Sequence, residues 1–189
     1  MSASVILLPV DRGFPSWELS SSSDPRALEI VDGTGRFFGL GPHYSRRSPG
    51  SKTFTGVGQE IVLVRPDAVW AVVRQRTPSP RGSGASRGRE GATALTRYVW
   101  RNMIFRNLGN ELSSDLIRSA TEMTYVEWEK RYSHLPTERL RTEVDIKKIR
   151  STNPGYCYLM AGWERGPVKA GKQFLYAPLA RDEQISVAL

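Results

Sequence analysis

Short runs of apolar and β-branched residues, separated by polar turns, dominate the middle of the chain. Glu60–Val64 and Ala68–Val73 are two such runs, joined by a turn that contains Pro66 and Asp67, and this pattern is typical of a β-hairpin. Tyr98–Phe105 has the same character and predicts a further strand. The central part of the chain is therefore expected to form a sheet.

The hydrophobic period changes after this strand. Apolar residues then recur three or four positions apart, which predicts an amphipathic helix from Ser114 to about Arg131. Ser113 or Ser114 is expected to cap the helix, and Asp115 suits the positive end of its dipole. The residues of the apolar stripe are Leu112, Leu116, Ile117, Ala120, Met123 and Trp128.

The C-terminal part returns to short elements. Leu140–Val144 predicts a strand, a short helix is expected from about Tyr156 to Ala161, and Gly162 ends it. Trp163–Arg165 and Gln173–Tyr176 are the expected closing strands. This order predicts an α+β fold in which helices flank a mixed, mostly antiparallel central sheet.

The ends and the middle of the chain are less regular. Val5–Val10 is a candidate strand, and Arg26–Val31 is either a short strand or a helical turn before Asp32-Gly33. Residues 77–94 hold no large apolar side chain and predict a flexible basic insertion. We expect one domain over residues 1–189, with 1–40 as a divergent N-terminal region.

Composition narrows the class of protein. The chain has 189 residues, of which 39% are hydrophobic and 24% charged, which is typical of a globular protein. No apolar run approaches the roughly 20 residues of a membrane helix. The single Cys and two His exclude a four-ligand Cys/His zinc site, and one Cys fits a reducing compartment, so we expect a cytoplasmic protein without a metal.

The charge points to an anionic partner. The 27 Lys and Arg against 19 Asp and Glu give a net charge of +8. Basic residues concentrate between Arg81 and Arg106 and again between Lys147 and Lys172. A solubilising surface explains either patch alone, whereas two patches in one small domain favour nucleic acid.

Two local patterns carry a resemblance to a known family. The first is a strand that leads through a polar loop into a helix, IFRNLGNELSSDLI at residues 104–117. The second is NPGYCYLMAGW at residues 153–163, where Tyr158 stands four residues before Gly162. Together they resemble the GNAT superfamily of acyl-CoA-dependent N-acyltransferases. A similar combination occurs in the Mom-type DNA modification proteins of bacteriophages, including a His-Tyr-Ser stretch that here is 43–45.

The resemblance implies a cofactor site and a catalytic residue. In the superfamily the strand–loop–helix junction binds the cofactor pyrophosphate, an anion that suits a helix N-terminus. The matching positions are Arg106, Asn107, Leu108, Gly109, Ser113 and Ser114. Tyr158 corresponds to the superfamily tyrosine near the leaving thiol, where a phenol can act as a general acid. A packing role for Tyr158 remains the alternative.

Other side chains are candidates on their own chemistry. Asp145, just beyond a predicted strand, can act as a base on an amine or as a metal ligand, with Glu143 as its competitor for that role and a solvated loop carboxylate as the simpler interpretation. Cys157 lacks an assigned base, so a small buried side chain is expected.

DNA is the predicted substrate. Basic and aromatic groups suited to nucleic-acid contacts are His43, Tyr44, Arg46, Arg47, Lys52, Arg81, Arg87 and Arg89. The expectation is a phage-type transferase that modifies a base or amine on DNA with an acyl-CoA or similar donor. The alternatives are a non-catalytic basic protein that binds DNA or a host protein, and a transferase for a small-molecule or protein amine.

Overall fold

A seven-stranded open sheet organises the protein. The structure is a computed structural model that describes residues 16–39, 51–77, 97–148 and 153–180. The strand order is β1-β2-β3-β4-β5-β7-β6, and every neighbouring pair is antiparallel except β4 and β5. The predicted α+β class with a mostly antiparallel sheet is confirmed. The strands are β1 Glu18–Ser20, β2 Gln59–Val64, β3 Ala68–Thr77, β4 Arg97–Asn107, β5 Arg141–Asp145, β6 Glu164–Lys169 and β7 Lys172–Tyr176.

Helices cover both faces of the sheet. Within the described residues they are α1 Pro25–Asp32, α2 Ser113–Tyr132 and α3 Tyr156–Met160, with a 3-10 turn at Gly35–Phe37. The two helices predicted after β4 are confirmed, and the Arg26–Val31 segment is helical, ended by Gly33 with φ of 67°. The predicted serine cap of α2 is wrong, because Leu112 occupies the N-cap position and no side chain caps the helix.

The core has two parts, one on each side of the sheet. On the face covered by α2 and α3, called the α2 face, the buried side chains include Trp70, Trp100, Leu116, Trp128 and Trp163. On the opposite face, called the α1 face, they include Ala27, Ile30, Val62, Val64 and Ile104. Alternating side chains of β2 and β3 supply both parts, which explains the unbroken apolar runs at 61–64 and 68–73.

A β-bulge interrupts β4. Ala71 of β3 pairs with Ile104 and the next residue, Val72, pairs with Asn102, so Met103 is an extra residue on β4. The bulge reverses the alternation of β4, since Asn102 lies on the α2 face while Ile104 packs in the α1-face core.

The parallel pair of β4 and β5 is short. The two strands are in register at Arg101 and Arg141, and in the described sheet β4 continues to Asn107 and β5 to Asp145 without further pairing. Each strand keeps its other neighbour, because β4 pairs with β3 and β5 pairs with β7. The sheet is therefore divided between β4 and β5 beyond this one pair.

The two edges of the sheet differ from its centre. β1 is a three-residue strand. β6, at the other edge, changes register between Arg165 and Val168, a segment that contains Gly166 and Pro167. The side chains of β6 are mostly exposed, and charged residues stand at both of its ends.

Two predicted features lie outside the described residues. They are the strand at Val5–Val10 and nearly all of the basic insertion at 77–94, of which only Thr77, the last residue of β3, is described. No helix in the described ranges is long and apolar enough to cross a membrane.

Candidate active site where β4 and β5 diverge

Tyr158 is held in the core by a short helix with glycines at both ends. Gly155 precedes α3 with φ of 79° and Gly162 follows it with φ of 91°, backbone conformations that favour glycine. The Tyr158 ring packs against Trp70 and Trp163 on the α2 face, with 4.9 Å between its centroid and that of Trp163. The side chain is 7% exposed, so Tyr158 is a core residue.

A buried polar network connects Tyr158 to both diverging strands. Its Oη donates a 2.7 Å hydrogen bond to Oδ1 of Asn102 on β4. The Nδ2 of Asn102 donates to the carbonyls of Ala71 and Ile104, at 3.0 and 2.9 Å, which are the carbonyls beside the bulge. Thr142 on β5 donates from Oγ1 to the Asn102 carbonyl at 3.3 Å. These groups stand one residue beyond the point where β4 and β5 last pair.

Asn102 and Thr142 were missed as candidate site residues in the sequence. A signal was present, because Asn102 is the one uncharged polar residue in the otherwise apolar and basic run YVWRNMIF. A buried amide requires hydrogen-bond partners, so a polar residue in a core strand marks a network or a site.

Burial controls the chemistry of the phenol. It raises the pKa of Tyr158 well above the ordinary value of 10, and a negative charge on the adjacent Cys157 would raise it further. The hydroxyl is therefore protonated at neutral pH and can donate a proton or a hydrogen bond. It cannot serve as a base.

Asp145 does not lie with Tyr158. On β5 it alternates with the core residues Thr142 and Val144, so its side chain projects from the α1 face. Its Oδ1 accepts a hydrogen bond from the Lys147 amide at 3.1 Å, and its Oδ2 lies 3.5 Å from Nζ of Lys148. The structure thus gives this carboxylate a turn-forming role.

Glu143, the competing carboxylate, is on the same face. It forms ion pairs with Arg141 at 3.2 Å and with Lys172 at 3.1 Å. Among the described residues, neither Asp145 nor Glu143 forms a hydrogen bond with Tyr158.

Asn107 organises the loop between β4 and α2. Its Nδ2 donates to the Glu111 carbonyl at 2.8 Å and to Oγ of Ser113 at 3.2 Å, while its Oδ1 accepts from the Gly109 amide at 3.0 Å. Because Ser113 receives this bond, its hydroxyl is engaged by the loop instead of capping the helix. The Leu108 amide donates to the carbonyl of Asp67 at 2.8 Å.

The next backbone amides along this loop are free to bind a ligand. Within the described residues, the backbone N–H groups of 110–114 donate no hydrogen bond, including those of Ser113 and Ser114 in the first turn of α2. They form a set of donors at the positive end of a 20-residue helix. Free amides are present at the start of any α-helix, so the cofactor loop stays a prediction.

The charges beside this loop are mainly acidic. Glu111 lies 2.5 Å from Nη2 of Arg65, and the Asp67 carboxylate packs so closely on Gly109 that a Cβ there would overlap it. Asp115 pairs with Arg118 at 3.1 Å. The three carboxylates outnumber the two guanidinium groups, so the start of the helix has a net negative charge. An anion would have to enter against this net charge.

Arg106 is directed away from the loop. It pairs in register with Val69, a residue of the α1-face core, and its Nη1 donates to the Val31 carbonyl of α1 at 3.4 Å. Burial lowers its pKa. The structure therefore brings Asn107, Leu108, Gly109, Ser113 and Ser114 together, with Arg106 on the other side of the sheet.

The remaining candidates fall into two groups. Cys157 is partly buried, and burial raises the pKa of its thiol, which fits the packing role expected for it. Lys52 is exposed in the segment before β2. His43, Tyr44, Arg46, Arg47, Arg81, Arg87 and Arg89 lie outside the described residues. The described residues contain no cluster of His, Cys, Asp or Glu that could hold a metal ion.

No protein-family model, curated protein or solved structure matches the chain.

Proposed function

We propose that the protein is a GNAT-like transferase that modifies a base or an amine on DNA with an acyl-CoA or a similar activated donor. The observation that carries the proposal is the division of the sheet between β4 and β5, with the Tyr158 hydroxyl at the point where the strands separate. A V-shaped opening between two central strands is what the resemblance to this superfamily implies.

The loop after β4 supports a donor site. The free amides of residues 110–114 and the dipole of α2 suit a pyrophosphate group, and Asn107 holds the loop in this form. α3 then brings Tyr158 against the same face of the sheet as α2. A donor bound at the loop would extend along this face towards the phenol.

The phenol suits one step of the proposed reaction. Attack of an amine on the acyl carbon forms the new C–N bond, and collapse of the tetrahedral intermediate breaks the C–S bond. The sulfur leaves as a thiolate, which takes a proton from a general acid, and the proton that the attacking amine loses restores that acid. The Tyr158 phenol carries that proton at neutral pH, and the raised pKa makes it a weaker acid than an ordinary tyrosine.

A second candidate is a non-catalytic basic protein that uses this fold to bind DNA. Two observations favour it: the Tyr158 hydroxyl is already bound to Asn102, and acidic side chains surround the start of α2. A protein of this kind needs neither a donor site nor an accessible phenol.

Mass analysis of nucleosides separates the candidates. DNA from cells that express the protein should contain a modified nucleoside that is absent from cells without it. The matched variants are Tyr158→Phe and Tyr156→Phe, since both tyrosines are in α3 but Tyr156 is 54% exposed. Loss of the product in Tyr158→Phe alone supports the transferase. Unmodified DNA in every strain, together with binding of DNA by the purified protein, supports the second candidate.

A further inference from the structure

Two arginines stand side by side at the one pair that joins β4 and β5. Arg101 and Arg141 are in register in the parallel ladder, where neighbouring strands lie about 4.8 Å apart. Each alternates with residues of the α2-face core, namely Asn102 on β4 and Thr142 on β5. Both side chains therefore leave the sheet on the α1 face, and they start next to each other.

These guanidinium groups have few hydrogen-bond acceptors and few negative charges around them. The Nε atoms of Arg101 and Arg141 are shielded from solvent and have no hydrogen-bond partner. Within the described ranges, the Arg101 guanidinium makes no ion pair and no hydrogen bond, whereas Arg141 donates from Nη2 to Glu143 at 3.2 Å. A partly buried cation without a partner is costly, and a second cation beside it adds repulsion.

The surrounding groups leave the pair positive. Glu143 is the nearest carboxylate, and it is shared with Lys172 at 3.1 Å. Arg101, Arg141 and Lys172 therefore share one carboxylate, and Asp145, the next carboxylate on this face, pairs with Lys148. The Phe174 ring lies 5.0 Å from the Arg141 guanidinium and supports it from one side. An anion with one or two negative charges would neutralise this excess of positive charge.

We propose that Arg101 and Arg141 bind a phosphate group of the DNA strand on the α1 face. Two planar guanidinium groups can each offer paired N–H donors to phosphate oxygens, a match that lysine does not provide. The inference rests on the proposed function for the identity of the strand. It assigns the two faces different tasks, with the donor on the α2 face and DNA on the α1 face. A strand anchored at Arg101 holds its neighbouring bases beside the gap between β4 and β5.

The test measures binding of a fluorescent single-stranded oligonucleotide over a range of salt concentrations, without donor. The variants are Arg101→Gln, Arg141→Gln and the double variant. Lys130→Gln is the control, because it removes the same charge from an exposed position near the end of α2. The double variant should bind about tenfold or more weakly, since charge-assisted hydrogen bonds contribute on that scale. The slope of log K against log salt should become shallower by about 0.7 for each phosphate that the variant no longer neutralises.

Thermal unfolding distinguishes a binding role from a structural one. Arg101→Gln should melt at the same temperature or higher, because it removes repulsion and breaks no ion pair. A clear decrease in melting temperature would show that the fold needs this guanidinium, and would overturn the proposal. Unchanged oligonucleotide affinity in a folded double variant would overturn it as well.

Two further comparisons identify the source of the phosphate and test this inference separately from the transferase proposal. If the double variant keeps its oligonucleotide affinity but loses a stabilising shift with CoA, the pair binds the donor and the proposal is wrong. If the variants lose oligonucleotide binding as expected while the unaltered protein modifies no DNA, the phosphate site is supported and the transferase proposal is wrong.

Discussion

The phenolic oxygen of Tyr158 lies 2.7 Å from Oδ1 of Asn102, and this hydrogen bond joins α3 to the bulge of β4. Asn102 in turn bonds both carbonyls beside the bulge. The side chain that the resemblance assigns to proton donation is therefore also part of the core. Its two roles can be separated, because one is measured as stability and the other as turnover.

Replacing Tyr158 with Phe should destabilise the protein by roughly 1–3 kcal/mol, the cost of leaving a buried acceptor without a partner. The ring contacts with Trp70 and Trp163 are kept. Denaturant unfolding measures this loss, and the exposed Tyr156→Phe should change stability little. If the phenol is also the general acid, turnover per folded molecule should fall by about 10²–10⁴. Equal stability of the two variants would contradict the hydrogen-bonded role.

Replacing Asn102 with Ala should cost more than Tyr158→Phe. It removes the hydrogen-bond partner of the phenol. It also removes the amide donor from the carbonyls of Ala71 and Ile104 beside the bulge. The effects of Asn102→Ala and Tyr158→Phe should not add, since both remove the same hydrogen bond. A double-mutant cycle in urea checks this, and additive changes in free energy of unfolding would contradict direct coupling.

Stability should fall when the pH rises above about 10, where an unfolded tyrosine ionises. Because burial raises the pKa of Tyr158 in the folded state, the unfolded chain loses its proton first and is favoured as pH increases. The contribution of Tyr158 to the stability of the fold is therefore fully present below this pH. Unfolding curves between pH 8 and 11 measure it, and Tyr158→Phe should show a smaller decrease over this interval than the unaltered protein.

The Cys157 thiol should react slowly in the folded protein. Burial raises its pKa and limits access, and the thiolate is the reactive form. Iodoacetamide at pH 8 should alkylate the native protein much more slowly than the protein in denaturant, as followed by intact mass. Similar rates in both conditions would show that this helix opens readily.

Asn107→Ala should loosen the loop before α2. It removes the bonds to the Glu111 carbonyl, the Ser113 hydroxyl and the Gly109 amide. If a CoA donor binds there, excess CoA should raise the melting temperature of the unaltered protein and raise that of Asn107→Ala much less. Ser23→Ala, on the exposed segment before α1, is a control for loss of a polar side chain. A full shift with Asn107→Ala would place the donor elsewhere.

Most secondary structure was predictable because hydrophobic period reports burial directly. The β2–β3 hairpin, β4, α2 and the closing strands all follow apolar patterns along the chain. The bulge at Met103 was not predictable, since one extra residue changes which face each later side chain occupies without changing composition.

The site was less predictable than the fold for the same reason. Sequence proximity grouped Arg106 with Asn107, yet neighbours on a strand point to opposite faces, and only Asn107 reaches α2. Arg101 and Arg141 are forty residues apart in the sequence and become neighbours only through the parallel pairing. Pairing between distant strands leaves no local pattern.

The form of the outer strands has a consequence for how the protein behaves at high concentration. An open sheet exposes unpaired N–H and C=O groups at its edges, and another copy can extend the sheet there. β1 is too short to template such growth, and Pro167 removes a donor from β6 beside its register shift. The charged side chains at the ends of β6 favour contact of this edge with water over pairing with another strand. Replacing Pro167 with Val would restore this backbone donor, and addition of a strand from another copy at β6 would become more favourable.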